Sequence, residues 1–459
     1  MKLMTGTVAN ILDAVGNTPI VRLNRVVPET QRANLYAKLE YLNPGGSVKD
    51  RPALQIIKDA EENGTLKPGG TIVEATSGNT GMGLAMVAAV RGYKTIFVMP
   101  DKMSDEKVKA LRSCGARVVM TPTEVSPEDP RSYYSVARKL TEETPNAILA
   151  NQYFNPSNPK AHELSTGPEI WEQTGGEIDV FITAMGTGGT ITGIARYLKS
   201  KNPKIRIVGI DPVGSIYYDY FKTGKMVPAH SYKVEGFGED FLPGTMDLSV
   251  IDDVVRVTDK ECFLMTRALV RDEGIYCGGS SGGIVAGAIK WLENHDGDLN
   301  VVTIMCDSSA RYLTKIFDDA WMREHGYLQP ELEMRVGEMI ERRRQDLLVA
   351  GPHDSVRQTV GLMKKHGISQ LPVLEEGKLI GLITETDLLQ SLVNEQVTPE
   401  THIENLVDMN FAIVEPNNSL SLLTQVFAQG KIAVVVDKGE VVGVVTKIDL
   451  IDTMTSLAS

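Results

Sequence analysis

One lysine, Lys49, sits in Ser47-Val48-Lys49-Asp50-Arg51, just after the small-residue turn Asn43-Pro44-Gly45-Gly46. Two loops of small residues follow it in the chain. They are Thr76-Ser77-Gly78-Asn79-Thr80-Gly81 and Gly186-Thr187-Gly188-Gly189-Thr190. A neutral lysine amine attacks an aldehyde and forms a Schiff base. Glycines let backbone N–H groups close on a phosphate where a helix begins. The hydroxyls and amides of the 76–81 loop can donate to one carboxylate, and the Asn79 amide can bond a ring hydroxyl. A fourth segment, Gly278-Gly279-Ser280-Ser281-Gly282-Gly283, offers a serine hydroxyl to a ring nitrogen. Each feature has a plainer reading: a surface lysine paired with Asp50, an N-cap turn, a tight strand-to-helix turn, a flexible turn. Their occurrence together, in this order, favours chemistry.

The elements that must carry these residues are legible. Residues 71–73 and 95–99 read as buried strands with a helix at 81–91 between them. Residues 180–183 and 205–210 flank a helix at 191–199, and 301–305 is a later strand. This alternation predicts an α/β unit with a largely parallel sheet covered by helices on both faces. Ligand loops then belong at the carboxyl ends of strands, where the 76–81 and 186–190 loops fall. Lys49 is expected where a helix opens near Ser47, so the helix dipole opposes its ammonium form and eases loss of the proton. An aldehyde to receive that amine and a phosphate to fill the glycine loop are both present in pyridoxal 5'-phosphate. Ser280 opposite the ring nitrogen leaves that nitrogen unprotonated. The weaker electron sink that results favours elimination and replacement at a β carbon.

Composition excludes several alternatives. At 459 residues the chain has room for two to four domains. Hydrophobic content of 42% and charged content of 23% are ordinary for a globular protein. A net charge of −12 argues against nucleic acid as a main partner. The four cysteines (Cys114, Cys262, Cys277, Cys306) and seven histidines make no metal-ligand spacing, so no metal site is expected and the cysteines read as reduced thiols. No run is long enough to span a membrane and no leader pattern opens the sequence, so a cytoplasmic location is expected.

After Tyr327 the pattern changes. Residues 331–344 are rich in charge and end in Glu341-Arg342-Arg343-Arg344, which reads as a solvated helix joining two domains rather than an anion site. Beyond it lies an internal repeat. Gly381, Thr384 and Asp387 recur as Gly443, Thr446 and Asp449 at a constant offset of 62 residues. Each copy reads as a helix, a hairpin with a Gly turn, and a second helix entered through Thr-x-x-Asp. The expected division is a catalytic domain over 1–328, a linker over 329–345 and a C-terminal module over 346–459, with copies at about 346–392 and 402–456.

The first region resembles the fold-type II pyridoxal-phosphate enzymes that make cysteine and cystathionine. Gly16-Asn17-Thr18-Pro19-Ile20-Val21 joins the motifs above in carrying the resemblance over nearly all of 8–328. The repeat resembles the α+β tandem regulatory module named after cystathionine β-synthase, the Bateman module. By resemblance, Lys49 is the Schiff-base lysine and Asn79 bonds the ring hydroxyl. Gly186, Thr187, Gly188, Gly189 and Thr190 form the phosphate cup, and Ser280 meets the pyridine nitrogen. Thr76, Ser77, Asn79 and Thr80 hold the substrate carboxylate.

Two branches of the family compete. Gln152-Tyr153, the polar loop Glu235-Gly236-Phe237-Gly238-Glu239-Asp240-Phe241, the segment Trp321-Met322-Arg323-Glu324-His325-Gly326-Tyr327-Leu328 and the appended repeat resemble the synthase branch. Thr166-Gly167-Pro168-Glu169-Ile170-Trp171 resembles the O-acetylserine sulfhydrylases. The synthase branch implies a carbon–oxygen lyase that condenses L-serine with L-homocysteine. Gln152 and Tyr153 then place the substrates, Glu239 lies near the second one, and release of hydrogen sulfide from cysteine is a side activity. Glu239 stands where animal synthases usually carry tyrosine. Animal synthases bind haem through a Cys and a His in an N-terminal extension. Here the first such residues are Cys114 and His162, so no haem is expected. The family is homodimeric, and tetramers are a further expectation. In the repeat, Thr384 with Asp387 and Thr446 with Asp449 either hold the ribose of S-adenosylmethionine or an adenine nucleotide, or cap helices in a module that binds no ligand.

Overall fold

The computed structural model describes residues 6–76, 78–101, 105–122, 125, 129–295, 297–328, 334–343, 347–394 and 396–457. Two compact units make up the chain, Met1–Leu328 and Gln329–Ser459.

The first unit contains β1 (Ile20–Arg22), β2 (Asn34–Lys38), β3 (Thr71–Ala75), β4 (Lys94–Pro100), β5 (Arg117–Thr121), β6 (Ala147–Leu149), β7 (Val180–Ala184), β8 (Arg206–Pro212), β9 (Asp253–Val257) and β10 (Asn300–Ile304). They form a six-stranded sheet ordered β1-β2-β10-β7-β8-β9 and a four-stranded sheet ordered β5-β4-β3-β6. The pairing of β1 with β2 is antiparallel and the pairs inward of it are parallel. All pairs of the smaller sheet are parallel. Every residue of β3 is buried, because helices cover both faces of a parallel sheet. Neighbours along a strand serve opposite cores. Ile182 and Val208 pack into one cluster with Phe263 and Val301, while Phe181 and Ile207 pack into another with Ile191 and Val302.

Four helices open toward one place. Helix Asn79–Arg91 follows β3, and helix Gly189–Lys201 follows β7. Helix Asp50–Glu62 begins beside Lys49, and helix Gly279–Leu292 begins at Gly278. Residues after β10 tie these starts together, since Asp307 bridges to Ser47 and Ser308 bridges to Cys277. Helices Asp50–Glu62 and Asn79–Arg91 cross closely at Gly83, where a Cβ would stand 2.9 Å from the Ala53 Cβ and 3.1 Å from the Lys49 carbonyl oxygen.

The second unit is the duplicated one. Helix Val356–His366, strands Gln370–Glu375 and Lys378–Thr384, and helix Glu385–Val393 form one copy. Strand Phe411–Val414, helix Leu420–Ala428, strands Ile432–Asp437 and Glu440–Val445, and helix Lys447–Leu457 form the other. Both hairpins turn on two residues with positive φ, Glu376-Gly377 and Lys438-Gly439, the geometry that matches strand twist. Both also carry a register shift at the equivalent place, Val373/Leu374 and Val435/Val436.

One boundary differs from expectation. Helix Val336–Arg343 lies inside the stretch expected to be a linker, yet Met334, Val336 and Met339 are buried with Leu420, Leu423 and Val435. Val336 N donates to Asn418 O at 3.0 Å. The stretch is therefore part of the second copy's core, because its apolar residues cover a face that the copy leaves open. Arg342 is exposed, and Arg344 lies outside the described residues.

Candidate active site

The four helix starts share a feature. Asp50–Glu62, Asn79–Arg91, Gly189–Lys201 and Gly279–Leu292 have Lys49, Gly78, Gly188 and Gly278 at their N-cap positions, and no side chain caps any of them. Uncapped N–H groups carry partial positive charge and need an acceptor. Between the starts lies a pocket lined by Val48, Lys49, Asn79, Gly186, Thr187, Gly188, Thr190, Gly236, Ser280, Cys306 and Asp307, among others.

Burial lowers the Lys49 pKa, while Cys306, Glu239 and Asp307 nearby pull it back up. A larger share of neutral amine is the state a nucleophile or base needs. Gly188 has φ +88°, and a Cβ there would stand 2.6 Å from the Met246 Cα, so the loop closes only on glycine. Gly236 has φ +95°, and a Cβ there would have only Ser280 within 4 Å, so its bare backbone leaves the pocket open. A lysine amine, an N–H-rich glycine loop and a glycine wall fit an aldehyde-bearing phosphate ester such as pyridoxal 5'-phosphate.

Other residues fix the walls. Thr80 Oγ1 donates to Gln152 Oε1 at 2.6 Å. The 151–153 turn is held from below by Glu74, a buried residue of β3, which accepts from Asn151 N at 2.6 Å and Gln152 N at 3.3 Å. Asn151 takes φ +53°, a left-handed conformation that this double bond supports. Burial pushes the Glu74 carboxyl up to about 7 against those bonds. Asn158 Nδ2 donates to Gln152 O at 2.8 Å and to Thr187 Oγ1 at 3.1 Å. The Thr245 hydroxyl meets the Tyr153 and Thr187 carbonyls. The substrate-side turn and the glycine loop are thus one connected wall.

Glu239 has Tyr153 among its neighbours, and burial raises the Glu239 carboxyl to about 7 while Tyr153 and Lys49 oppose the rise. Tyr153 also packs edge-on against Phe241, with centroids 5.2 Å apart. Thr190 Oγ1 lies 3.2 Å from His162 Nε2, and His162 Nδ1 lies 2.8 Å from Thr166 Oγ1. His162 stands on a π-turn, His162–Thr166, and burial drops its pKa well below the usual value, so it is neutral. Behind Lys49, Arg51 is buried between Glu40 at 2.7 Å and Glu169 at 2.6 Å, and Lys38 joins Glu169 at 2.8 Å. This network anchors the turn that delivers Lys49.

Of the residues proposed from sequence, Lys49, Asn79, Gly186, Thr187, Gly188, Thr190 and Ser280 line the pocket together. Gly189 is buried as the first residue of its helix. Thr76 is buried just before helix Asn79–Arg91 and Thr80 in its first turn, and Ser77 lies outside the described residues. Gln152, Tyr153 and Glu239 form the adjoining wall. Ser280 has a sulfur neighbour that sequence did not suggest, the Cys306 thiol. Thr384, Asp387, Thr446 and Asp449 belong to the second unit. There Thr384 Oγ1 donates to Asp387 Oδ2 at 2.5 Å, and Thr446 Oγ1 donates to Asp449 Oδ2 at 2.6 Å.

Sequence reasoning missed Glu74, Asn158, His162, Thr245 and Asp307. Glu74 left a signal, a carboxylate inside an otherwise apolar strand. Asp307 left a weaker one, its place just past the carboxyl end of β10. Among the described residues no group of His, Cys, Asp and Glu could hold a metal ion, and no helix is long and apolar enough to cross a membrane.

The sequence matches the family described as pyridoxal-phosphate dependent enzyme over residues 11–307. It matches the CBS domain at 336–394 and 402–456. It is 39% identical to a cystathionine beta-synthase of Dictyostelium discoideum, over 96% of this chain and 91% of that one. It is 37% identical to the cystathionine beta-synthase of Saccharomyces cerevisiae, over 96% of this chain and 97% of that one. Among solved structures, a hydrogen sulfide-producing enzyme from Fusobacterium nucleatum superposes with a TM-score of 0.61 at 36% identity. That match covers 67% of this chain and 99% of the other.

Proposed function

The chain belongs to the pyridoxal-phosphate dependent enzymes and, among them, to the cystathionine β-synthases, and on that premise we propose that it joins L-serine to L-homocysteine, giving L-cystathionine and water. The observation that carries this reading is the wall adjoining the Lys49 pocket, where Gln152 bonds Thr80 and Tyr153 packs on Phe241 of the loop that carries Glu239, a place where a second amino acid can dock. Pyridoxal 5'-phosphate, when bound, supplies an aldehyde and an electron-withdrawing ring that acidifies the hydrogen on the α carbon of an amino acid.

The protein supplies the rest. The uncapped start of Gly189–Lys201, with Thr187 and Thr190, holds the phosphate. Thr76, Ser77, Asn79 and Thr80 hold the serine carboxylate at the start of Asn79–Arg91, and Gln152 backs Thr80. Asn79 also serves the ring hydroxyl, and Ser280 the ring nitrogen. The neutral Lys49 amine takes the α proton as general base and returns a proton to the departing hydroxyl, which leaves as water. The carbon–oxygen bond at the β carbon breaks, and a carbon–sulfur bond to homocysteine replaces it. Tyr153 and Glu239 orient homocysteine for that step. With cysteine in place of serine, the same sequence of events releases hydrogen sulfide.

Other parts of the reading follow from residues. The protein is read as haem-free, a reading supported by the engagement of His162, its first histidine, with Thr166 and Thr190. All four cysteines are free thiols, which suits the cytoplasm. Leu42, Phe154, Leu164 and Leu313 are large exposed apolar side chains that support a homodimer of the catalytic unit, with tetramers as the larger alternative. The duplicated unit takes S-adenosylmethionine or an adenine nucleotide. A larger thermal shift with S-adenosylmethionine than with AMP or ATP supports the first, and no shift with any of them removes the ligand role.

The deciding experiment offers the cofactor-loaded protein serine plus homocysteine and, separately, O-acetylserine plus sulfide. Faster formation of cystathionine is expected. Faster formation of cysteine overturns the synthase assignment in favour of a sulfhydrylase.

A further inference from the structure

Asp307 is 1% exposed and joins three parts of the site. Its backbone bridges to Ser47, two residues before Lys49. Its carbonyl accepts from Gly278 N at 3.0 Å, two residues before Ser280. Its Oδ2 accepts from Asn79 Nδ2 at 2.8 Å and from the Tyr312 hydroxyl at 2.7 Å. Its Oδ1 is buried without a hydrogen-bond partner. We propose that Asp307 is a positioning residue that fixes the direction of the Asn79 amide, and through it the hydrogen bond that Asn79 offers to the ring hydroxyl of the cofactor. This inference rests on the pyridoxal-phosphate reading of the pocket.

The two ends of an asparagine amide have nearly the same shape, and only partners decide which end faces where. A carboxylate accepts and does not donate, so it selects the nitrogen end of Asn79. One N–H is used on Asp307, and the second N–H of the same nitrogen remains for the pocket that Asn79 lines. The same oxygen also accepts from the Tyr312 hydroxyl, so it faces donors on both sides, which holds the choice. Burial raises the Asp307 pKa, and the bonds from Asn79 and Tyr312, with the charges of Arg311 and Lys107, oppose that rise. An amide at position 307 has a donor as well as an acceptor and no longer selects one end. Asn79 then presents oxygen as readily as nitrogen to the ring hydroxyl, which shifts the proton between that hydroxyl and its neighbours.

The test is the absorption spectrum of the bound cofactor in the full-length holoenzyme, for Asp307→Asn, Asn79→Ala and the double variant. Asp307→Asn is expected to lower the long-wavelength band and to weaken cofactor retention by about tenfold, the worth of one hydrogen bond. The double variant is expected to match Asn79→Ala alone, because Asp307 acts through Asn79. An unchanged spectrum in Asp307→Asn overturns the proposal, as do fully additive effects. If Asp307→Asn does not fold, Asp307→Ser in the same cycle carries the same two criteria. A wild-type protein that takes up no pyridoxal phosphate is a different failure, since it removes the reading of the pocket itself.

Discussion

Helices begin differently in the two units. In the catalytic unit, the helices at Lys49, Gly78, Gly188 and Gly278 start without a side-chain cap. In the duplicated unit, helix Val356–His366 is closed by a reciprocal Ser355–Gln358 box, and helix Glu385–Val393 by Thr384–Asp387. At the next repeat Thr446 N and Oγ1 likewise both donate to Asp449 Oδ2. An orphan N–H group needs a partner in either case. Where the protein supplies that partner, the helix start is complete and stable. At the pocket, where four uncapped starts converge, the N–H groups are left for a ligand, and stability is exchanged for binding. Side-chain caps also occur in the catalytic unit away from the pocket, as at Ser132 and Thr258, and helix Leu420–Ala428 of the duplicated unit has none, so what sets the pocket apart is that four uncapped starts meet there.

The largest effect should come from Lys49. Lys49→Ala should lower turnover by about 10³-fold or more while thermal unfolding stays near wild type, since the loss is of a general base and not of packing. Turnover near wild type would remove Lys49 from the reaction.

Next is the pH dependence of stability. Glu74 is carried to about 7 in the fold from an ordinary 4.5. A carboxyl raised in this way binds its proton more tightly folded than unfolded. Its contribution is complete below pH about 4.5 and is lost as the pH rises through about 7, an effect of up to about 3 kcal/mol. Glu74→Gln should flatten the fall in melting temperature between about pH 5 and pH 8. An identical slope in both proteins would contradict this.

Gly188→Ala should weaken cofactor retention, because it places a Cβ 2.6 Å from the Met246 Cα at φ +88°. A strain of about 1–3 kcal/mol corresponds to roughly ten- to hundredfold, read by equilibrium dialysis of the cofactor. The smallest effect belongs to the duplicated unit. Ser355→Ala should destabilise that unit by about 1 kcal/mol and leave basal turnover unchanged, which unfolding and assay together measure. Loss of turnover in that variant would mean that the two units differ less than their helix starts suggest.

The legible part of this protein was local. Lys49, the 76–81 loop, the 186–190 loop and the Thr-x-x-Asp repeats are short runs whose residue types announce their use. The strands were legible because parallel sheets demand continuous apolar runs: the predicted cores of β3, β4 and β7 fall within the observed strands, and that of β8 begins one residue early, at Ile205. The role of 334–343 was not legible. Its apolar positions suit any buried face, and the face that takes them, near Asn418, lies about eighty residues away.

Sequence by itself determined the cofactor class, the parallel architecture and the duplication, since each depends on neighbours in the chain or on a period. Only tertiary structure decided how the site is held. Glu74 reaches Asn151, His162 reaches Thr190, Thr245 reaches Thr187, and Asp307 reaches Asn79. Each joins residues far apart in the chain through a hydrogen bond that is wholly or partly buried. No spacing rule encodes such a bond, because the distance that matters is set by how the sheets and helices pack.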